Sequence, residues 1–481
     1  MAKKPRTAIT PTRDEDFAQW YQQVIKAADM AENSPVRGCM IIKPYGFALW
    51  ENMQRIFDGW LKDYGVQNAS FPLLIPLSFL EKEAEHIDGF AKECAVVTHH
   101  RLEQGEDGEL VPAGKLEEPY VIRPTSETII GDAMSRWIQS YRDLPMKLNQ
   151  WGNVMRWEMR TRLFLRTSEF FWHEGHNAFE TPEEAKADCL TVLGMYEKFF
   201  EEYLALSGFM GIKTPDERFP GALETYAFEA IMQDGKALQA ATTHDLGQTF
   251  SRSCNIKFQG RNGEEQLAYT TSWAFSTRAI GGMIMVHGDD DGMIMPPRVA
   301  PQQVIILPFI KDNSDEILEF ADKLASQIKD MELRVRVDNR DMRTPDKMWD
   351  AVKKGVPIRV EIGAREMENG EVTFVRRDIG RSSKETLSAD AFLGKVQSVL
   401  DDIHDNMLER SKAFRDEHVV DGSNVQDIDN FFAKDNIGLV KVPVSVLDDA
   451  KLEEVMSKHS LSTRCMPFAD DGKKVLIGKA Y

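Results

Sequence analysis

Residues 151–176 read WGNVMRWEMRTRLFLRTSEFFWHEGH and gather guanidinium, carboxylate and aromatic groups in one short stretch. Arg156 and Glu158 are two apart, so on an extended strand they point the same way. Arg166, Glu169, Phe170 and Trp172 follow after residues 159–165, a connection of hairpin length. Two antiparallel strands joined there would offer one ligand a forked cation, an acceptor carboxylate, a second cation and an aromatic plate. An adenine nucleotide requires those parts: guanidinium for phosphate, carboxylate for the exocyclic amine, a ring for the base. The same residues would also serve as sheet packing beside a solvated loop, and spacing alone leaves both readings open.

Two more stretches carry chemistry. In Arg123-Pro-Thr-Ser-Glu127, Thr125 and Glu127 are two apart and share a direction. A secondary ammonium has two donors and a positive charge, which one carboxylate and one hydroxyl satisfy. The same word also reads as a helix start, and both readings can hold at once. In residues 238–248, Gln239, Thr242 and His244 alternate loosely with small residues, as on a strand lining a pocket. Residues 269–278 alternate as well, through Ser272 and Ser276 to Arg278, before an apolar helix at 279–286.

The elements that must position these groups are marked in the chain. The basic start MAKKPRTAITP is expected to be mobile. Thr12 and Glu15 make a capping box for a helix over residues 14–30. Pro44 opens a second helix bearing Phe47, Trp50, Gln54, Phe57 and Leu61 at helical spacing. Residues 69–76 form an apolar strand whose two prolines suit an edge or an interface, and residues 99–119 an exposed hairpin near the site entrance. Thr181 and Glu184 box a long helix whose face Val192, Tyr196, Phe199, Phe200 and Tyr203 belongs to the core. From Pro301 strands and helices alternate, which predicts a mixed α/β domain. A helix through Phe414 and strands near residues 439–446 and 475–477 complete the tail.

Length and composition set outer limits. A chain of 481 residues has room for about two to four domains. Its net charge of −18 excludes a surface uniformly coated for nucleic acid, although a local basic surface can still bind RNA. Between Arg334 and Glu385 basic residues do outnumber acidic ones. The five cysteines form no Cys-x-x-Cys pair, which fits a reducing cytosol. With no signal peptide and no long apolar span, the chain reads as soluble and cytoplasmic.

The order Arg-x-Glu, loop, Arg-x-x-x-Phe resembles motif 2 of the class II aminoacyl-tRNA synthetases. The words RPTSETI, LNQWGNVMRWE and MVHGDDDGMIMPPRVAP resemble prolyl-tRNA synthetases in particular, over nearly the whole chain. That resemblance implies an α+β catalytic domain with an antiparallel sheet over residues 1–300, a mixed α/β anticodon-binding domain over 301–400, and a small α+β domain over 401–481. It implies ATP with Mg²⁺, proline and tRNA(Pro) as ligands, and a homodimer joined near the helix and strand around Pro72. Arg156, Arg166 and Arg278 would be catalytic. Glu158, Phe170, Gln239, Thr242 and Ser276 would join them in holding ATP. Thr125 and Glu127 would bind the proline nitrogen, with Arg156, Trp172, Phe219, Thr242, His244 and Ser272 completing that pocket. Arg340, Arg343 and Lys347 would meet tRNA, although a solvated charged loop explains each of them equally simply.

Departures from the family pattern are informative. Residues 178–271 leave no room for the large editing domain of the bacterial form, so the chain resembles the archaeal and eukaryotic form. Ala240 and Ala241 stand where many class members have a glycine pair. The tail keeps Cys465 alone of the four cysteines that commonly hold zinc, so no structural zinc is expected. It also keeps a final tyrosine, Tyr481, whose terminal carboxylate is implied to turn toward the catalytic domain.

Other readings lose ground. His173-Glu-Gly-His176 and Met456-Ser-Lys458 imitate class I signatures, but the first would end an antiparallel hairpin rather than follow a nucleotide-fold strand. As a metal pair, His173 and His176 lack a third ligand nearby. His176 reads instead as a pocket wall or a satisfied core histidine. A non-catalytic paralogue that binds tRNA should have lost one of Arg156, Arg166, Arg278, Thr125 or Glu127, and all are present.

Overall fold

Alternating residues on both sides of the 159–165 connection make two long strands that pair as a hairpin, the centre of the catalytic sheet. The computed structural model describes residues 7–81, 93–309 and 314–481. In chain order the sheet contains β1 (Gln67–Asn68), β2 (Met146–Met155), β3 (Glu169–Phe179), β4 (Gly208–Ile212), β5 (Glu224–Ile231), β6 (Ala237–Gly247), β7 (Tyr269–Ser276) and β8 (Met466–Pro467). Its eight strands run β8-β4-β5-β6-β7-β3-β2-β1. The pairings are antiparallel except at β1 and β2.

Helices cover one face of this sheet. Phe57 of α2 (Pro44–Asp63), Tyr196 and Phe199 of α4 (Pro182–Leu204), and Trp273 and Phe275 of β7 share one buried core with α1 (Phe17–Ala27) and α5 (Arg278–His287). Buried Asp188 on α4 accepts hydrogen bonds from Thr271 Oγ1 at 2.7 Å, Tyr64 OH at 3.0 Å and Trp273 Nε1 at 3.1 Å. One carboxylate thus fixes the helix to β7 and α2. Because side chains alternate, Ser272, Ala274 and Ser276 are left on the opposite face, which becomes the floor of the site.

Several local expectations change. The N-terminal stretch is ordered from Thr7: Ile9 is buried and its N–H donates to Asp290 O at 2.9 Å. Residues 1–6 of that stretch lie outside the described residues. Helix α1 is shorter than expected, because Asp16, accepting from Gln19 N at 3.0 Å, supplies the cap in place of Thr12. The apolar run 69–76 is strand only at Leu74–Pro76, since Pro72 cannot donate to a ladder. It pairs with a hairpin longer than expected, Ala95–Gln104 with Leu110–Ile122.

After the catalytic domain, parallel strands Val335–Val337, Val304–Pro308 and Ile358–Ile362 are extended by antiparallel Glu371–Arg376 and Glu385–Ser388. Helix α6 (Ala389–Glu417) leads into the last domain, so residue 400 falls inside a continuous helix. Four strands form the tail sheet, in the order Val419–Asp421, Leu439–Pro443, Lys474–Gly478, Ser462–Thr463. Buried Cys465 packs with Ile231, Ala237, Leu439 and Leu476. Tyr481 lies on the catalytic domain, its N–H donating to Ala237 O at 3.0 Å and its hydroxyl to Asp234 at 2.6 Å.

Gly175 of β3 pairs with Trp273, and a Cβ there would lie 2.1 Å from the indole ring. Gly175→Ala should therefore destabilise the fold by about 1–3 kcal/mol, read as a lower urea midpoint. An unchanged midpoint would mean that the ring moves aside freely.

Candidate active site

Strand β2 ends at Met155, so Arg156 and Glu158 lie just beyond it rather than within a regular strand. Arg156 keeps its direction by other means. Its backbone N–H donates to Ser168 O at 2.7 Å, its Nε donates to Pro124 O at 2.9 Å, and its guanidinium lies 5.6 Å from the Phe170 ring and 5.5 Å from the Trp172 ring. Burial lowers its pKa, while Glu127 and Glu174 pull in the opposite direction.

On the same face the structure brings together Thr125, Glu127, Arg156, Trp172, Phe219, Gln239, Thr242, His244 and Ser272 around one cavity of about 290 Å³. Register explains the grouping. Ser272 is paired with both His176 and His244, and Ala274 with both Glu174 and Thr242. A bulge at Ala240, between the pairs Phe228–Ala241 and Glu229–Gln239, turns Gln239 onto the face of Thr242 and His244. The alanine pair thus sits at an irregularity of the floor. The ring centroids of His244 and Phe219 are 4.6 Å apart, and burial followed by the nearby His176 pushes the His244 pKa down to about 3, so it is neutral.

Thr125 and Glu127 stand at a helix start and also line the cavity. Glu127 begins helix α3 (Glu127–Trp137), and the Thr125 hydroxyl donates to the Glu127 carboxylate. Glu174 holds this turn, a role that no motif announced although Glu174 shares the alternation of Trp172 and His176. The carboxylate accepts from Ser126 N at 3.1 Å, Ser126 Oγ at 2.5 Å, Gln150 Nε2 at 3.1 Å and His176 Nε2 at 2.9 Å. His176 is accordingly both pocket wall and satisfied histidine. Glu217, Arg218 and Thr225 also line the cavity; the first two lie on the loop after β4, which has no periodic pattern, and Thr225 lies on β5 opposite His244.

Glu158, Arg166, Phe170, Ser276 and Arg278 lie beyond the cavity lining, around the 159–165 loop. Arg166 is 3.9 Å from Glu158, Arg278 Nε donates to Leu165 O at 3.1 Å, and Arg278 N donates to Ser276 Oγ at 3.2 Å. Burial, then the charges of Arg166 and Arg156, push the Arg278 pKa down to about 10. Two guanidinium groups bearing on a third form a place for a polyanion.

In the second domain Arg340 is bound to Asp338 and Asp350 at 2.7 Å, and buried Lys347 donates to Asp338 O at 3.0 Å. Both therefore brace the domain internally. Arg343 is exposed beside Asp346. A neighbouring cavity of about 370 Å³ is lined by Trp349, Met348, Arg377 and Arg381. Distant chain segments assemble it, so no local motif announced it.

An antiparallel sheet with a motif-2 hairpin, followed by a parallel-centred α/β domain, defines a class II tRNA synthetase. Residues 113–287 match the family model for the tRNA synthetase class II core domain (G, H, P, S and T), and residues 303–399 match that for the anticodon binding domain. The chain is 50% identical to the proline–tRNA ligase of Bdellovibrio bacteriovorus, covering 98% of this chain and 97% of that one. It is 49% identical to that of Protochlamydia amoebophila, with coverages of 99% and 97%. To proline–tRNA ligase 2 of Anaeromyxobacter dehalogenans it is 54% identical, with coverages of 86% and 82%. The chain belongs to the proline–tRNA ligase family.

The Glu174–His176 pair has a defined pH signature. Burial opposes both charges, but their mutual contact holds Glu174 below its ordinary 4.5 and His176 above its ordinary 6.5. The carboxylate's contribution is present above pH 4.5 and lost as pH falls through its lowered value; the histidine's is present below 6.5 and lost as pH rises through its raised value. His176→Gln should thus lower the urea midpoint most near about pH 5.5, with the gap to wild type narrowing at alkaline pH. A gap independent of pH would show that the pair is not ionised.

Proposed function

We propose that the protein joins proline to tRNA(Pro) in two steps, prolyl-adenylate formation and transfer to the terminal ribose. What best supports the amino-acid assignment is the placement of Thr125 and Glu127 facing Arg156 across one sheet-floored cavity. The ring ammonium of proline would give its two protons to Glu127 and Thr125, leaving the carboxylate directed at Arg156. Trp172, Phe219, Thr242, His244 and Ser272 would enclose the ring, with neutral His244 avoiding a second cation near the substrate ammonium.

ATP would enter as its Mg²⁺ complex on the other side of Arg156. Glu158 and Phe170 would hold adenine, while Gln239, Thr242 and Ser276 line the nucleotide. Arg156 would bridge the proline carboxylate and the α-phosphate. A carboxylate oxygen bonds to the α-phosphorus as the bond to the bridging oxygen breaks, and pyrophosphate departs against Arg166 and Arg278. The nucleophile is already an anion, so no proton moves. Catalysis is alignment plus stabilisation of charge.

In the second domain, exposed Arg343 and the cavity beside Trp349 and Arg381 support tRNA binding through phosphate contact and base stacking. Leu102 and Leu110, 60% and 69% exposed on the hairpin that extends the Pro72 region, support a homodimer contact. Among the described residues no helix is long and apolar enough to cross a membrane, and none of the five cysteines is in a disulfide. The wide spacing of the cysteines supports a cytoplasmic site of action.

Residues 178–271 are taken up by α4, β4, β5, β6, the Thr249–Ser253 helix and two short strands ahead of β7. Discrimination against alanine then rests on the pocket, where a missing methylene is worth only about 1–3 kcal/mol. Alanine and cysteine are therefore weak substrates for activation.

Arg156→Ala should abolish proline-dependent exchange of pyrophosphate into ATP while the protein stays folded. Near-normal exchange would remove Arg156 from the centre of the mechanism.

A further inference from the structure

We propose that the C-terminal segment 462–467 braces the active site from outside, with Thr463 and Arg464 as positioning residues for the loop over the amino-acid pocket. This rests on the assignment of that pocket to proline. The loop, residues 215–223, carries Glu217, Arg218 and Phe219 and leaves β4 through Lys213 and Thr214.

Its far end is held from the pocket side, since Phe219 N donates to Thr225 Oγ1 at 3.0 Å. Its root is held from the last domain. The hydroxyls of Thr463 and Thr214 are 2.7 Å apart. Arg464 Nη2 reaches the two Glu229 oxygens at 3.1 and 3.0 Å, across 235 positions of sequence. Lys213 Nζ reaches the same carboxylate at 2.7 Å, and the Lys213 and Glu229 side chains are 1% and 0% exposed. Glu229 pairs with Gln239, so the triad stands on the pocket face of the sheet.

The backbone reinforces the contact. Met466 pairs with Ile212, and a Cβ on Gly211 would lie 2.4 Å from the Met466 carbonyl oxygen. Glycine is what lets the two chains approach. A carboxylate buried between two cations fixes both of them, because moving either leaves charge uncompensated in a dry site. Lys213 is thereby locked, and with it the start of the loop. Arg464 also bears on the Arg278 charge, but its guanidinium donates to Glu229 and Ser462. The amino-acid side of the site is the side it positions.

Arg464→Met is the informative variant, since Glu229 keeps Lys213 as its counter-charge and the fold can survive. Thr463→Val removes a single hydroxyl and is milder still. In the full chain, Arg464→Met should raise the proline KM in pyrophosphate exchange about tenfold, with the ATP KM within about twofold. Amides of residues 215–223 should exchange with deuterium faster, and Arg464→Lys should recover part of the loss. Unchanged proline KM and loop exchange in a folded Arg464→Met protein would overturn the proposal. So would proline and ATP KM rising together in step with a lowered urea midpoint. Phe219→Ala separates the two ideas: if it also leaves the proline KM unchanged, the pocket assignment fails. If it raises the proline KM while Arg464→Met does not, only the role of the C-terminal segment fails.

Discussion

Burial of positive charge is the constraint on which the rest of the site depends. Arg156 and Arg278 are half-buried beside Arg166, and Arg278 carries the cost as a pKa depressed to about 10. Such a cluster persists only where rigid structure holds each guanidinium and a polyanion relieves the repulsion. Carbonyl oxygens supply the rigidity here, Pro124 O to Arg156 and Leu165 O to Arg278. Those two acceptors fix the direction of each guanidinium.

The antiparallel sheet converts that constraint into a binding surface. Alternation sends Trp273 and Phe275 into the helix-covered core and Ser272, Ala274 and Ser276 to the floor. Register then places Glu174 and His176 beside the strand residues that line the cavity. A carboxylate on β3 controls the Thr125–Glu127 turn, and a bulge at Ala240 brings in Gln239. Thus the Thr125–Glu127 turn, Arg156 and the floor are all referred to one rigid sheet, which alignment for in-line attack requires.

The hairpin, the long helices and the α/β second domain were legible because alternation and helical spacing reflect burial of one face. The Thr125, Glu127 and Arg156 grouping was legible through motif order. What escaped was decided by contacts between distant segments. Lys347 carries a charge that reads as exposed, yet the fold turns it inward to a carbonyl. Glu174 looked like one more residue of an aromatic strand until its four hydrogen bonds were in view. Nothing local in Arg464 or Ile9 indicates a partner more than two hundred positions away.

The most direct measurement is ATP–pyrophosphate exchange by the purified full-length protein, without tRNA, across the standard amino acids one at a time. A pocket built for a ring ammonium, with an arginine cluster beyond it, predicts exchange with proline at low concentration and weak exchange with alanine and cysteine at high concentration. Absence of exchange with every amino acid, from a folded protein that still binds tRNA, would contradict the catalytic reading and leave a tRNA-binding protein on a synthetase fold.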